Sequence, residues 1–165
     1  MAGEPGRSGD PEPVAVGLLP GPDADSTPFW EGCAAGELRV QRCAACGRRR
    51  MPPRPMCPHC RSLEATWEVM SGRGRIWSFV VPHPPLLAAY AEVAPYNVIV
   101  VELDDDPGEG APPIRLVGNL VEAADGPINA IDPATIVIGE PVRVVFGPPV
   151  SDEDGTVTLP RWIRG

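Results

Sequence analysis

A mainly β protein is predicted, with a short N-terminal helix and a metal-stapled ribbon ahead of a small barrel of five or six strands. Three observations predict it. Two Cys-x-x-Cys pairs, Cys43/Cys46 and Cys57/Cys60, stand ten residues apart. Beyond them the chain runs as short Val-, Ile- and aromatic-rich stretches separated by Gly and Pro, without the apolar spacing of a long helix. The length, 165 residues, suits one compact domain or two small modules sharing a boundary.

The first 25 residues, MAGEPGRSGDPEPVAVGLLPGPDAD, are Gly, Pro and acid with one apolar island at 14–19. So little apolar surface does not offset the cost of ordering the chain, and a disordered tail over 1–25 is expected. No basic start leads into an apolar run, and nowhere do about 18 apolar residues follow one another, so neither export nor membrane spanning is indicated. The expected location is the cytoplasm. In that reducing compartment paired Cys-x-x-Cys units are more often metal ligands or redox centres than structural disulfides.

The second segment, 26–62, reads as helix plus ribbon. In STPFWEGCAAG, Ser26 or Thr27 can cap, Pro28 suits the first helical turn, and Phe29, Trp30 and Cys33 share a face. Gly36 ends the helix. Leu38 and Val40 then alternate with Glu37, Arg39 and Gln41 as a strand leading into the first cysteine pair. Each Cys-x-x-Cys turn sets two thiolates on one side of a tight knuckle, and two knuckles face to face offer a tetrahedron of sulfurs at ~2.3 Å from Zn²⁺. Gly47, directly after Cys46, fits such a turn, and RRRMPPRPM supplies a return strand and a stiff lead into the second pair. A redox dithiol needs only one pair, so the second favours metal. His59, between Cys57 and Cys60, reads as a solvent-facing spacer, and Cys33 as a small buried apolar side chain. Four cysteines leave no open coordination position, so the zinc is structural.

The third segment, 63–165, carries the barrel. EATWEVMS, GRIWSFVVP, YNVIVVELD, IRLVGNLVE, PVRVVFG and TVTLPRWI read as strands. They are joined by HPPLLAAYAEVAP, DDPGEGAPP, GPINAIDPATIVIG and SDEDG. Five or six short strands within ~100 residues are most economically closed as an OB-type barrel.

The order of PFWEG, GELRVQRCAACG, PPRPMCPHC, SGRGRIWSF, APYNVIVVELD and IGEPVRVVF resembles the OB-fold proteins with a rubredoxin-like zinc ribbon. That family was once catalogued as a domain of unknown function and is encoded with acyl-CoA enzymes. The resemblance runs from Pro28 to Arg164. It implies Cys43, Cys46, Cys57 and Cys60 as zinc ligands and a hetero-oligomer with a thiolase-fold enzyme, such as a lipid-transfer-protein-like aldolase of steroid side-chain breakdown. The alternatives it implies are an acyl-CoA hydratase or a thiolase of other lipid or polyketide metabolism. The barrel and the preceding helix would contact the partner, and DDPGEGAPP is longer than a tight hairpin of that pattern. Phe29 and Trp30 on the helix, with Leu86, Leu87 and Tyr90 on the following long loop, are the expected partner-binding residues.

Catalysis by this chain itself is not favoured. All 14 basic residues are arginine, so Schiff-base aldol chemistry has no lysine here. Only two histidines occur, and His83, flanked by Pro82 and Pro84, would need Ser78 and Asp104, Asp105 or Asp106 as companions. The acidic run reads as a solvated hairpin. The chain carries net charge −8, yet residues 39–75 hold nine arginines against Glu64 and Glu68. A zinc ribbon, an OB barrel and arginines also describe nucleic-acid-binding proteins. Those need a basic groove with stacking aromatics on the barrel, however, and these barrel strands are acidic or apolar. Arg48, Arg49 and Arg50 are instead expected to face the phosphates of coenzyme A or an acidic partner surface, because arginine binds both bidentately.

Overall fold

The computed structural model describes residues 19–152 and 155–165. Most of the expected tail lies outside the described residues. Residues 19–22 share a small cavity with Asp152, Gly155 and Val157. The first helix, α1 (Thr27–Ala34), begins after Ser26 with Pro28 in its first turn. Ser26 occupies the N-cap position, but its hydroxyl does not cap. It turns back to Asp23 Oδ1 at 2.6 Å, and the Ser26 N–H donates to the same oxygen at 2.7 Å. These bonds hold the Asp23 carboxyl below its ordinary range. Gly36, at φ +76°, closes the helix with the Glu37 N–H reaching Gly32 O at 2.8 Å. That left-handed turn is one that glycine alone adopts without steric cost.

The strand β1 (Arg39–Cys43) lies between β2 (Arg49–Arg50) and β3 (Ala65–Val69) in a three-stranded antiparallel sheet. Leu38 and Val40 point into the core as their alternation requires. Gln41, expected outward, is buried as well. Its side chain lies under the segment after β2, where the Gln41 Oε1 accepts the Arg54 backbone N–H at 2.9 Å. EATWEVMS therefore completes the ribbon's sheet through a five-residue register with β1 instead of adding a barrel strand.

The barrel is built from β4 (Arg73–Val80), β5 (Val98–Leu103), β6 (Arg115–Gly118), β7 (Pro141–Phe146) and β10 (Pro160–Arg164), in the order β10-β7-β4-β5-β6. Its last gap closes in parallel. The Trp162 N–H donates to Asn119 O at 3.0 Å, the Val121 N–H donates to Trp162 O at 2.8 Å, and Leu120 bridges Trp162. Closure removes the sheet edge, as in an OB fold. TVTLPRWI breaks in two. β9 (Gly155–Val157) folds back on β8 (Val150–Asp152), and β10 starts afresh at Pro160, which needs no backbone donor as a first strand residue. The long loop after β4 contains the short helix α2 (Ala88–Ala91), and a 3₁₀ turn (Pro133–Thr135) sits between β6 and β7. Among the described residues no helix is long and apolar enough to cross a membrane.

One buried cluster joins all of this. Phe29 and Cys33 of α1, Leu38 and Val40 of the ribbon, and Ile76, Ile99, Val101, Leu116 and Trp162 of the barrel pack as a continuous core. Helix, ribbon and barrel thus share their apolar interior.

Candidate functional site

The four cysteines converge. Their sulfurs all lie within 4.8 Å of one another, with Cys43 Sγ 3.5 Å from Cys60 Sγ and Cys46 Sγ 3.7 Å from Cys57 Sγ. A tetrahedron of sulfurs at ~2.3 Å from a metal has edges of about 3.8 Å, so the donor set fits a four-thiolate site. The two turns repeat one another. The Cys43 N–H donates to Arg48 O at 3.0 Å and the Gly47 N–H to Cys43 O at 3.0 Å; the Cys57 N–H donates to Ser62 O at 2.9 Å and the Arg61 N–H to Cys57 O at 2.9 Å. Gly47 and Arg61 take the same left-handed conformation, at φ +73° and +63°.

The turn amides also favour the thiolate at two of the four sulfurs. The Cys46 backbone N–H aimed at Cys43 lowers that thiol to about 6, and the Cys60 N–H does the same in direction for Cys57. At Cys60 the Ser62 N–H acts to lower the thiol. Its hydrogen bonds with Cys43, Cys46 and Cys57, with burial, prevail and push it up to about 12. Cys33 stands apart in the core, its thiol raised to about 12 by burial, as the reading of a small apolar side chain requires.

The arginine triplet is largely engaged within the chain. Arg49 Nε binds Glu68 at 2.7 Å, and its Nη1 donates to Asp106 O. Arg48 Nε donates to Glu109 O at 3.1 Å, and the Arg49 N–H to Pro107 O at 3.1 Å. The loop DDPGEGAPP joins the antiparallel pair β5 and β6 with Asp104, Asp106 and Glu109 exposed, as the solvated-hairpin reading expects, and these bonds also pin it to the ribbon. Arg50 differs. Its Nη2 reaches Arg54 O at 3.2 Å, while Nε and Nη1 are buried without a partner. All three arginines line a cavity of about 150 Å³ with Met51, His59 and Ile114.

A larger cleft of about 440 Å³ lies where α1, the residues after β2, α2 and β6 meet. It brings together three of the expected partner-binding residues, Phe29, Trp30 and Tyr90, with Met51, Leu116 and Val117. Phe29 is only 5 % exposed and sits edge-on to Trp30 at 4.9 Å, so it supports the cleft from the core instead of presenting its ring outward. Tyr90 stacks on Tyr96 at 5.6 Å. Leu86 and Leu87 do not line the cleft, although Leu87 is 63 % exposed. His83 has no hydrogen bond to Ser78 or to Asp104, Asp105 and Asp106. Sequence reasoning missed Met51 and Val117 as cleft residues. An apolar residue at the outward position of the alternating Arg115-Leu116-Val117 run was the available signal.

The family model of the ChsH2 rubredoxin-like zinc ribbon domain matches residues 30–64, and that of the ChsH2 C-terminal OB-fold domain matches 67–147. A DUF35 domain-containing scaffold protein of Methanothermobacter thermautotrophicus is 34% identical over 123 residues, covering 73% of this chain and 80% of the relative. The chain belongs to the ChsH2/DUF35 zinc-ribbon and OB-fold family. The 3-oxo-4,17-pregnadiene-20-carboxyl-CoA hydratase alpha subunit of Mycobacterium tuberculosis is 34% identical over 137 residues; these cover 83% of this chain but only 38% of that subunit's length. Among solved structures, a chain of the Ltp2-ChsH2(DUF35) aldolase superposes with TM-score 0.65 at 33% identity, covering 88% of this chain and 98% of that one.

Proposed function

We propose that this ChsH2/DUF35 chain is a non-catalytic, zinc-stabilised subunit that docks on a thiolase-fold acyl-CoA enzyme, an aldolase of steroid side-chain degradation. One observation carries the reading: the likeness to a chain of the Ltp2-ChsH2(DUF35) aldolase extends over 98% of that chain, ribbon and barrel together. Zinc suits the closed set of four thiolates at Cys43, Cys46, Cys57 and Cys60, where it would supply folding energy. The chain's own contribution would be to present the Trp30 and Tyr90 cleft to the partner and to complete its acyl-CoA entrance. Arg48, Arg49 and Arg50 line the smaller cavity, where their guanidinium groups would meet a coenzyme A phosphate.

The test is reconstitution of the enzyme alone, with the wild-type subunit, and with Trp30→Ala or Tyr90→Ala. Alanine at either cleft residue should weaken assembly by ~2 kcal/mol if it is a buried anchor. Zinc content should be unchanged. An enzyme that turns over acyl-CoA equally fast without the subunit would refute the reading. A second reading, a subunit of an acyl-CoA hydratase, is favoured by the 34% identity to the hydratase alpha subunit. It predicts assembly with a hydratase partner instead of a thiolase-fold one.

A further inference from the structure

The outer face of the barrel beside the cleft carries an apolar surface that the fold leaves uncovered. On β5 the inward residues are Ile99, Val101 and Leu103, so Val98, Val100 and Glu102 face outward. Ser78 pairs with Val100 and Val80 with Val98 across β4 and β5, and Val100 pairs with Val117 across β5 and β6. Trp77 stands at the irregularity between Ile76 and Ser78, 49 % exposed, while Val80 and Val117 are 60 % and 65 % exposed. The Arg115 guanidinium lies 3.9 Å from the centre of the Trp77 ring and binds Glu102 at 2.9 Å. In an OB barrel this is the face that takes ligands. Here Val80, Val98, Val100 and Val117 fill its centre, and its stacking ring, Trp77, is already covered on one side by Arg115.

Two further observations bear on what covers it. Arg115 and Val117 also line the Trp30 and Tyr90 cleft, so face and cleft are one continuous surface. At its far end Arg73 pairs directly with Arg143 across β4 and β7, and Arg75 follows on the same face. Like charges directly opposite one another are unfavourable, and among the described residues neither Arg73 nor Arg143 is in an ion pair. Counting Glu102 and Asp104 against Arg73, Arg75, Arg115 and Arg143, the face remains positive on a chain of net charge −8.

We infer that the outer face of β4, β5 and β6, centred on Trp77 and Val117, is the second half of the docking surface. It takes an apolar patch of the partner enzyme that is flanked by carboxylates opposite Arg73 and Arg143. The inference rests on the proposed subunit role. It extends that role by naming the barrel residues that continue the contact beyond the α1 cleft.

The experiment measures binding of the zinc-loaded chain to a purified thiolase-fold enzyme, the partner of the proposed role, by calorimetry at several salt concentrations. Val117→Asp should weaken binding by at least about tenfold, as loss of an anchor does. Leu63→Asp, at a 73 % exposed apolar residue away from this face, should not. The double variant Arg73→Glu/Arg143→Glu should weaken binding and flatten its salt dependence. If the wild-type chain binds and Val117→Asp binds equally well, the barrel-face assignment fails while the subunit role stands. If charge reversal leaves affinity and salt dependence unchanged, the acidic flank is wrong. If the wild-type chain does not bind at all, the subunit role fails and this inference with it.

Discussion

Removing the metal should unfold the barrel together with the ribbon. Phe29, Leu38 and Val40 belong to the helix and ribbon, yet each is 5 % exposed or less and packs in the cluster that contains Ile76, Val101 and Trp162 of the barrel. Burying each such side chain contributes ~1.5–3 kcal/mol, so the three together supply roughly 5–9 kcal/mol to the shared core. That is comparable to the ~5–15 kcal/mol by which a whole domain is stable. β1, which carries Val40, ends at Cys43 and is held on one side by β2, whose approach depends on the first cysteine turn. Losing the metal therefore loosens the element that delivers these side chains. Titration with a strong chelator, followed by near-ultraviolet circular dichroism of the core tryptophan and by metal release, should give one transition for both signals. Cys60→Ser should lower the melting temperature of the whole chain in the same way. A barrel signal that survives complete metal removal would refute the coupling. Iron in place of zinc, seen in elemental analysis, would overturn the choice of metal.

Two further outcomes are expected. Burial raises the Cys33 thiol to about 12 from its ordinary 9.0, so the folded state holds the proton that the unfolded chain gives up first. This contribution is complete below about pH 9 and is lost as the pH rises through about 12; denaturant titrations across that range should show stability falling less steeply in Cys33→Ala than in the wild type. Arg49→Ala removes the bond to Glu68 and the tether to Asp106 O, so hydrogen exchange over residues 104–110 should accelerate. Global stability should fall by only about 1 kcal/mol, because both partners keep part of their surface in water, 24 % and 29 %; an unchanged loop would mean that the backbone bond to Pro107 suffices.

Local chemistry made much of this protein legible in its sequence. The metal centre depends on two turns whose geometry follows from the spacing of Cys43, Cys46, Cys57 and Cys60, with Gly47 at a left-handed position, and no distant contact is needed to recognise it. The helix stop at Gly36 and the period-two runs of β5 and β7 are equally local signals. The assignment of strands to sheets is different, because a strand's period shows which residues face inward but not which neighbour it pairs with. Only the fold shows that β3 joins the ribbon, that β9 turns back on β8, and that Trp162 closes the barrel against Asn119 and Val121. Burial of individual side chains is likewise a property of the assembly. Phe29 sinks into the shared core while Trp30, one residue on, lines the cleft. Arg49 is consumed by Glu68 and by carbonyls 57 residues or more away, whereas Arg50 keeps two unpartnered donors. Arginines that are adjacent in sequence, with the same chemistry, thus acquire different roles from neighbours that the chain brings to them only on folding.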